Sequence, residues 1–168
     1  MRVTQALNDW RAADARWEAT DPSDEAARGS VALEVVAAWL SYQETAEGFA
    51  GDAVLVTDGT GTFVAASQGA EELLGMTNAQ IIGRKVADIT ALDLEVVGEA
   101  LWREFLAKGT LRGTYVLRGA EGSVAVDYDA RAHHPLPGFH TSRLRPRTVV
   151  SSTDDARSGF AVAGERRD

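Results

Sequence analysis

Residues 52–75 read DAVLVTDGTGTFVAASQGAEELLG, and this pattern predicts a strand, a tight turn, a second strand and a short helix. The Asp58-Gly59 pair tolerates the positive φ angles that a hairpin turn between two apolar runs requires. Ser67 is predicted to be the helix N-cap, because its hydroxyl can accept a hydrogen bond from a free N–H of the first turn. Gly75 is predicted to end the helix at its C′ position.

This stretch resembles the opening of a PAS domain, the small sensory module of bacterial signalling proteins. The family pattern is an apolar strand, Asp-x-x-Gly, a second strand, a helix cap that is usually Asn, and a Leu-Leu-Gly-like helix end. Here Ser67 stands at the usual Asn position. The resemblance continues through Ile82-Gly83-Arg84 to about Arg147. It implies an α+β, PAS-like fold, in which a five-stranded antiparallel sheet carries helices on one face.

The composition indicates a soluble globular protein and excludes several kinds of site. The 168 residues contain no cysteine, which excludes disulfides, thiolate metal sites and the flavin–cysteine bond of some light-sensing PAS relatives. A net charge of −8 argues against nucleic-acid binding, since phosphate contacts need clustered Lys and Arg. No apolar run suits a membrane helix or a signal peptide, so we expect a cytoplasmic protein without membrane contact.

The first 50 residues are predicted to form a helical hairpin. The first helix has an apolar stripe, and the second has a heptad-like seam and a predicted N-cap at Asp21. The stripe contains Val3, Leu7, Trp10 and Trp17, and the seam contains Val35, Trp39, Tyr42, Ala46 and Phe49. Two interpretations are open, because the hairpin can cover the outer face of the sheet or pair with a second copy. We expect a homodimer through these helices, with Trp39 near the seam.

The chain therefore divides into three predicted parts. Residues 1–50 form the helical hairpin, residues 51–147 the PAS-like domain and residues 148–168 a flexible polar tail. Within the domain, a long amphipathic helix at Asp93–Lys108 is followed by three strands. Those strands are predicted at Thr110–Arg118, Gly122–His134 and Phe139–Arg147.

An apolar cavity is predicted between the long helix and the sheet, because their apolar faces must meet to be buried. Candidate lining residues are Trp102, Val126, Tyr128 and His134. Val126 and Tyr128 belong to the apolar set of an alternating strand, and parity places His134 on the same side. Trp102 lies one residue off the main helix stripe, so it lines the cavity or packs at the core edge. The identity of a ligand or cofactor stays unknown.

The histidines offer a second kind of site. His133, His134 and His140 flank the last predicted turn, where one could ligate haem iron or a metal, act as a base, or be a polar loop residue. They lack the i, i+4 spacing that converges two ligands on one helix face, and we predict no metal site.

Charged residues alternate along the last two predicted strands. Asp127 and Asp129 are predicted to point away from the apolar set, toward solvent or ion pairs. Arg143, Arg145 and Arg147 share the same period and form a stripe that can pair with carboxylates or dock a partner.

These patterns predict a PAS-type sensory or protein-interaction module of bacterial signal transduction that has no catalytic residue. It is expected to bind a small apolar ligand or a signalling protein partner and to work as a dimer. The alternative is a small α+β enzyme that uses His134 and one carboxylate on a substrate in the cavity. The sequence contains no Gly-x-Ser-x-Gly elbow and no P-loop motif. Serine-hydrolase activity and nucleotide binding through a P-loop are therefore excluded.

Overall fold

The computed structural model describes residues 2–46, 51–90 and 94–147, of which residues 94–97 are described by their backbone alone. The predicted tail and Phe49 of the predicted seam lie outside these residues. The helices and strands are α1 Val3–Ala19, α2 Glu25–Thr45, β1 Ala53–Thr57, β2 Phe63–Ala66, α3 Gln68–Leu74, α4 Asn78–Ile81, α5 Val86–Ile89, α6 Leu94–Lys108, β3 Thr110–Gly119, β4 Gly122–Ala132 and β5 His140–Pro146.

The strands form one five-stranded antiparallel sheet in the order β2-β1-β5-β4-β3, which confirms the predicted fold class. The central strand β5 pairs with β1 on one side and with β4 on the other. Ser142 lies opposite Leu55 on β1 and opposite Ala130 on β4. The last strand of the chain therefore joins the N-terminal hairpin of the sheet to the C-terminal one.

The inner face of the sheet packs against α3, α4 and α5 to form the main core. Its large, almost fully buried members are Leu55, Leu74, Ile81, Ile89, Leu117, Val126 and Leu144. The predicted caps of α3 are confirmed. The Ser67 hydroxyl accepts from the N–H of Ala70 at 3.2 Å, and Gly75 ends the helix in the left-handed conformation at φ 62°.

The outer face of β1 and β2 is covered by the N-terminal helices. Val54 and Val56 point to this side and pack with Val36, Trp39 and Leu40 of α2. Every residue of β1 is buried as a result, because the inner core takes the alternate side chains. None of the described helices is long and apolar enough to cross a membrane.

Helix α2 begins later than predicted, so the N-cap prediction at Asp21 is wrong. Asp24 is the cap, and its carboxylate accepts from the N–H of Ala27 at 3.0 Å. Asp21 instead accepts from the N–H and hydroxyl of Ser23, at 2.9 and 2.8 Å, in the turn between the helices. Both residues suit a helix start, and the local Asp21–Ser23 turn decides between them.

The tryptophans of the helical hairpin find partners within the same chain. Trp39 is only 4% exposed, and its ring meets the ring of His134 edge to face at 5.1 Å. Trp10 stacks on Tyr42 at 5.4 Å, and the guanidinium of Arg28 lies 3.8 Å from the ring centre of Trp17. Because it is buried, Trp39 is not available at the surface for the expected dimer seam.

Candidate functional site

A cavity of about 390 Å³ lies between the inner face of the sheet and helices α5 and α6. Every strand contributes to its wall, and the volume falls within the usual range for small-molecule sites. Its apolar and aromatic lining includes Leu55, Phe63, Val86, Leu101, Trp102, Phe105, Leu111, Tyr115, Tyr128 and Ala130. Its polar lining includes Thr57, Thr60, Lys85, Thr90, Glu99, His140 and Ser142.

Aromatic rings form two sides of the cavity. On α6, the rings of Trp102 and Phe105 are 5.6 Å apart. On the sheet, Tyr115 of β3 and Tyr128 of β4 meet edge to face at 4.8 Å. Such walls suit an apolar ligand, since rings offer large contact areas at low conformational cost.

His140 is the histidine that lines this cavity. Its ring lies edge to face with Trp102 at 5.1 Å and with Phe105 at 5.6 Å. Its Nδ1 accepts from the backbone N–H of His133 at 3.1 Å, so the neutral ring carries its proton on Nε2. Burial lowers the pKa of His140, the neighbouring His133 lowers it further, and Asp58 acts in the opposite direction.

The two cavity tyrosines are held in their protonated form. Burial raises the pKa of Tyr115 far above its usual value, and Tyr128 nearby raises it further. Burial also raises the pKa of Tyr128, with Glu104 adding to the effect. Their hydroxyls are therefore neutral groups at physiological pH.

Thr90 lies in the cavity wall, and its hydroxyl is buried. The residue is 4% exposed, and its hydroxyl has no hydrogen-bond partner among the described residues. A buried hydroxyl without a partner is unusual, since most buried polar groups are hydrogen-bonded.

Two of the four predicted site residues lie in the cavity wall. Trp102 and Tyr128 contribute to the lining, on opposite sides. Val126 is fully buried in the core beside the cavity and is not part of its lining. His134 lies on the other side of the sheet, against Trp39 of α2. Burial lowers the pKa of His134, and the nearby positive charge of Arg131 lowers it further.

Sequence patterns named His140 among three candidate histidines but placed His134 in the cavity, although a signal for His140 exists. Residues 140, 142 and 144 alternate with residues 141, 143 and 145 along β5, and Leu144 is the large apolar member of the first set. Following that alternation back from Leu144 places His140 on the inner face.

The carboxylates of β4 and the arginines on and just after β5 form ion pairs and do not line the cavity. Asp129 pairs with Arg112 at 2.9 Å and Asp127 with Arg147 at 3.4 Å. Arg143 donates through Nε to the carboxylate of Asp52 at 2.6 Å, so the arginine stripe does pair with carboxylates. Within residues 2–46, 51–90 and 94–147, no cluster of three His, Asp or Glu could hold a metal ion.

Lowering the pH from about 7.5 to about 5.5 is expected to lower the melting temperature. The unfolded chain protonates His134 and His140 near pH 6.5, whereas burial opposes protonation in the folded protein, so stability is lost as the pH falls through that value. Thermal unfolding followed by circular dichroism measures the effect. The double variant His134→Gln with His140→Gln should lose most of this pH dependence, and a wild-type curve that is flat over the window contradicts the prediction.

Comparison with known proteins supports the same fold. A family model described as PAS fold matches residues 50–127. The crystal structure of a PAS domain from Colwellia psychrerythraea is similar with a TM-score of 0.55 at 20% identity, covering 66% of this chain and 98% of that one. A PAS domain of an HTR-like protein from Haloarcula marismortui has a TM-score of 0.55 at 16% identity, covering 71% and 98%.

A third similar structure contains a small molecule. It is the PAS domain, in complex with ethanol, of a LuxR-family transcriptional regulator from Burkholderia thailandensis, with a TM-score of 0.51 at 16% identity, covering 61% of this chain and 95% of that one. No curated protein matches the chain. The matched family model, the antiparallel sheet and these structural neighbours agree, and the chain therefore carries a domain of the PAS family.

Proposed function

We propose that this chain is a non-catalytic sensory module that detects a small, mostly apolar molecule in the cavity between α6 and the sheet. The observation that carries the proposal is the set of aromatic and aliphatic side chains that lines a cavity of about 390 Å³. The ethanol complex of the Burkholderia thailandensis PAS domain is consistent with a small ligand in this fold. The enzyme alternative has less support, since His134 lies against α2 on the opposite side of the sheet.

Filling the cavity is expected to weaken the binding of a neutral fluorescent probe. Ala130 of β4 lines the cavity and is buried, so Ala130→Phe places a ring in the space that a ligand would occupy. Prodan, an uncharged naphthalene ketone, should bind the wild type with a blue shift of its emission, and Ala130→Phe should weaken binding by at least about tenfold. Native mass spectrometry of the protein as purified provides a second readout, through any bound mass that the variant lacks.

The matched control is Ala125→Phe on the same strand. Ala125 lies an odd number of residues from Ala130, so its side chain points to the opposite face of β4. This variant should bind prodan like the wild type. Equal binding by both variants and the wild type, with folding retained, would place the probe elsewhere and contradict the proposal.

We further propose that the module works as a homodimer through the outer side of α2. Leu33 is 49% exposed there, and Ala26, Ser30 and Ala37 are exposed at helical spacing beside it. Small residues on both sides of a leucine allow two helices to approach closely. This arrangement supports a seam at Leu33 in place of the earlier expectation at Trp39.

The Leu33→Glu variant is expected to be monomeric when the wild type is dimeric, because two buried carboxylates would face each other across the seam. Light scattering during size exclusion, at about 100 μM protein, measures the mass. Val116→Glu is the control, since Val116 is also an exposed apolar residue, at 38%, but lies on β3. A monomeric wild type, or equal dissociation by both variants, would contradict the dimer.

A further inference from the structure

The central strand β5 presents two polar side chains to the cavity. His140 and Ser142 both belong to the cavity wall. Ser142 lies opposite Leu55 and Ala130, which also line the cavity, and residues opposite each other in a sheet point to the same face. Because His140 and Ser142 are two residues apart on one strand, they share this inner face at a spacing of about 7 Å. They form one polar pair among the apolar and aromatic members of the lining.

Both side chains of this pair have hydrogen-bonding capacity that the protein leaves unused. In His140, the Nδ1 atom accepts from the backbone N–H of His133, which leaves the proton on Nε2. None of the described residues forms a hydrogen bond with that Nε2–H or with the hydroxyl of Ser142.

The two unused atoms are also accessible. Among the described side chains, the Thr90 hydroxyl is the one polar atom that is buried without a partner, so the unbonded atoms of His140 and Ser142 retain accessible surface. Ser142 is partly exposed although β1 and β4 flank its strand, so its exposed part opens into the cavity. His140 is 4% exposed, and its ring meets the rings of Trp102 and Phe105 across the cavity. The pair therefore faces the space that a ligand would occupy.

An oxygen acceptor fits this pair. The imidazole offers one N–H, the serine hydroxyl can donate a second hydrogen bond, and a carbonyl or carboxylate oxygen has two lone pairs. A ligand oxygen at this position gains both bonds without breaking any bond within the protein. A ligand made only of hydrocarbon would displace water from both groups and leave them unbonded, which costs free energy.

We propose that His140 and Ser142 determine the specificity of the cavity, by donating from Nε2–H and from the hydroxyl to a carbonyl-type oxygen at one end of the ligand. The aromatic side chains of α6 contact the apolar body of the same molecule. Ketones and carboxylates share this oxygen chemistry. The inference rests on the proposed function, since it names the chemistry of the molecule that the cavity binds.

Three probes of nearly the same shape test this chemistry by NMR titration of the full chain. Acetophenone presents a ketone oxygen, benzoate presents a carboxylate, and α-methylstyrene replaces the ketone oxygen of acetophenone by a CH₂ group. The Ser142→Ala variant should weaken the oxygen probe that binds more tightly by roughly threefold to tenfold and leave α-methylstyrene unchanged or tighter. Whichever oxygen probe binds the wild type more tightly identifies the source of the oxygen as a ketone or a carboxylate.

The histidine has its own readout. In protein labelled with ¹⁵N-histidine, the bound oxygen probe should shift the Nε2 signal of His140, and α-methylstyrene should shift it much less. The signal is assigned by its loss in His140→Phe, which keeps a ring but removes the N–H. That variant should also weaken the oxygen probe by roughly threefold to tenfold, with little effect on α-methylstyrene.

Ser123→Ala is the matched control. Ser123 is an exposed residue of β4 outside the cavity lining, so its replacement should leave the affinities of all three probes unchanged. The melting temperature provides a second control. Because the Ser142 hydroxyl has no partner among the described residues, Ser142→Ala should not lower the melting temperature of the free protein.

The possible outcomes separate the inference from the function on which it rests. If Ser142→Ala changes the affinities of α-methylstyrene and the oxygen probes equally, the cavity is a ligand site but the polar pair does not set its specificity. The same conclusion follows if an oxygen probe binds without moving the His140 Nε2 signal, or if prodan or α-methylstyrene binds and neither oxygen probe does. If none of the three probes binds, and prodan also fails to bind, both the inference and the proposed function are overturned.

Discussion

Replacing Gly69 by alanine is expected to destabilise the protein by about 3 kcal/mol, the upper part of the range for overpacking a tight contact. Helix α3 lies directly on the chain that enters β1. A Cβ at Gly69 would stand 2.5 Å from the carbonyl oxygens of both Gly51 and Asp52. Both contacts are with backbone atoms, so the helix itself must move away from the sheet. Urea unfolding should show a lower midpoint with little change in slope.

The same substitution at Gly29 should act in the opposite direction. Gly29 lies within α2, and a Cβ there would meet no atom within 4 Å. Alanine has the higher helix propensity, so Gly29→Ala should stabilise the protein by up to about 1 kcal/mol. If the two variants shift the midpoint alike, the close approach at Gly69 does not limit the packing of α3.

Ser67→Ala is expected to cost about 2–4 kcal/mol, more than the usual loss of a helix cap. Ser67 is fully buried, and its Oγ accepts from the N–H of Val54 at 2.8 Å as well as from Ala70 in α3. The hydroxyl also donates to the carbonyl of Asp52 at 2.9 Å. Alanine would leave these backbone groups buried without a partner. Urea unfolding again provides the measurement.

An exposed cap is the matched comparison for Ser67. Thr77 caps α4, where its hydroxyl accepts from the N–H of Gln80 at 3.3 Å and water can replace it. Thr77→Ala should therefore cost no more than about 1 kcal/mol. Equal losses at the two positions would mean that the bonds of Ser67 to β1 contribute nothing beyond capping.

The hairpin and helix at residues 52–75 could be predicted because their chemistry is local. The turn at Asp58-Gly59, the cap at Ser67 and the stop at Gly75 each need only a neighbouring residue to act. The structure confirms the two caps, and the carboxylate of Asp58 accepts from the N–H of Thr60 at 2.8 Å inside the turn. The burial of Ser67 by β1 was not predictable, because it depends on packing between elements.

The histidine of the cavity shows where strand alternation stops being informative. Alternation carried past the end of β4 put His134 on the inner face. However, the strand ends at Ala132, and His133 adopts a positive φ of 55°. A left-handed residue reverses the chain direction, so parity no longer holds beyond it. The chain then returns, and His140 enters the sheet with the inner set of β5.

The packing partners of the tryptophans also could not be predicted from the sequence alone. Their number near the N-terminus correctly indicated that the helical hairpin must pack on something. The periodicity of Trp39 fits a dimer seam and a sheet-facing helix equally well, because both present one apolar stripe. In the structure, Trp39 faces the sheet, because it packs in one cluster with the outer side chains of β1, Val54 and Val56.

Because β1 is buried on both faces, the part of the chain that packs together begins earlier than the part that matches the family model. The family model starts at residue 50, yet Val54, Val56 and Ala65 are covered by side chains of α2. A gene fusion joined at residue 50 would present those three side chains to solvent or to whatever the new neighbour supplies. Chimeric receptors that include this domain should therefore begin before α1, so that both helices are present and cover the outer face of β1 and β2.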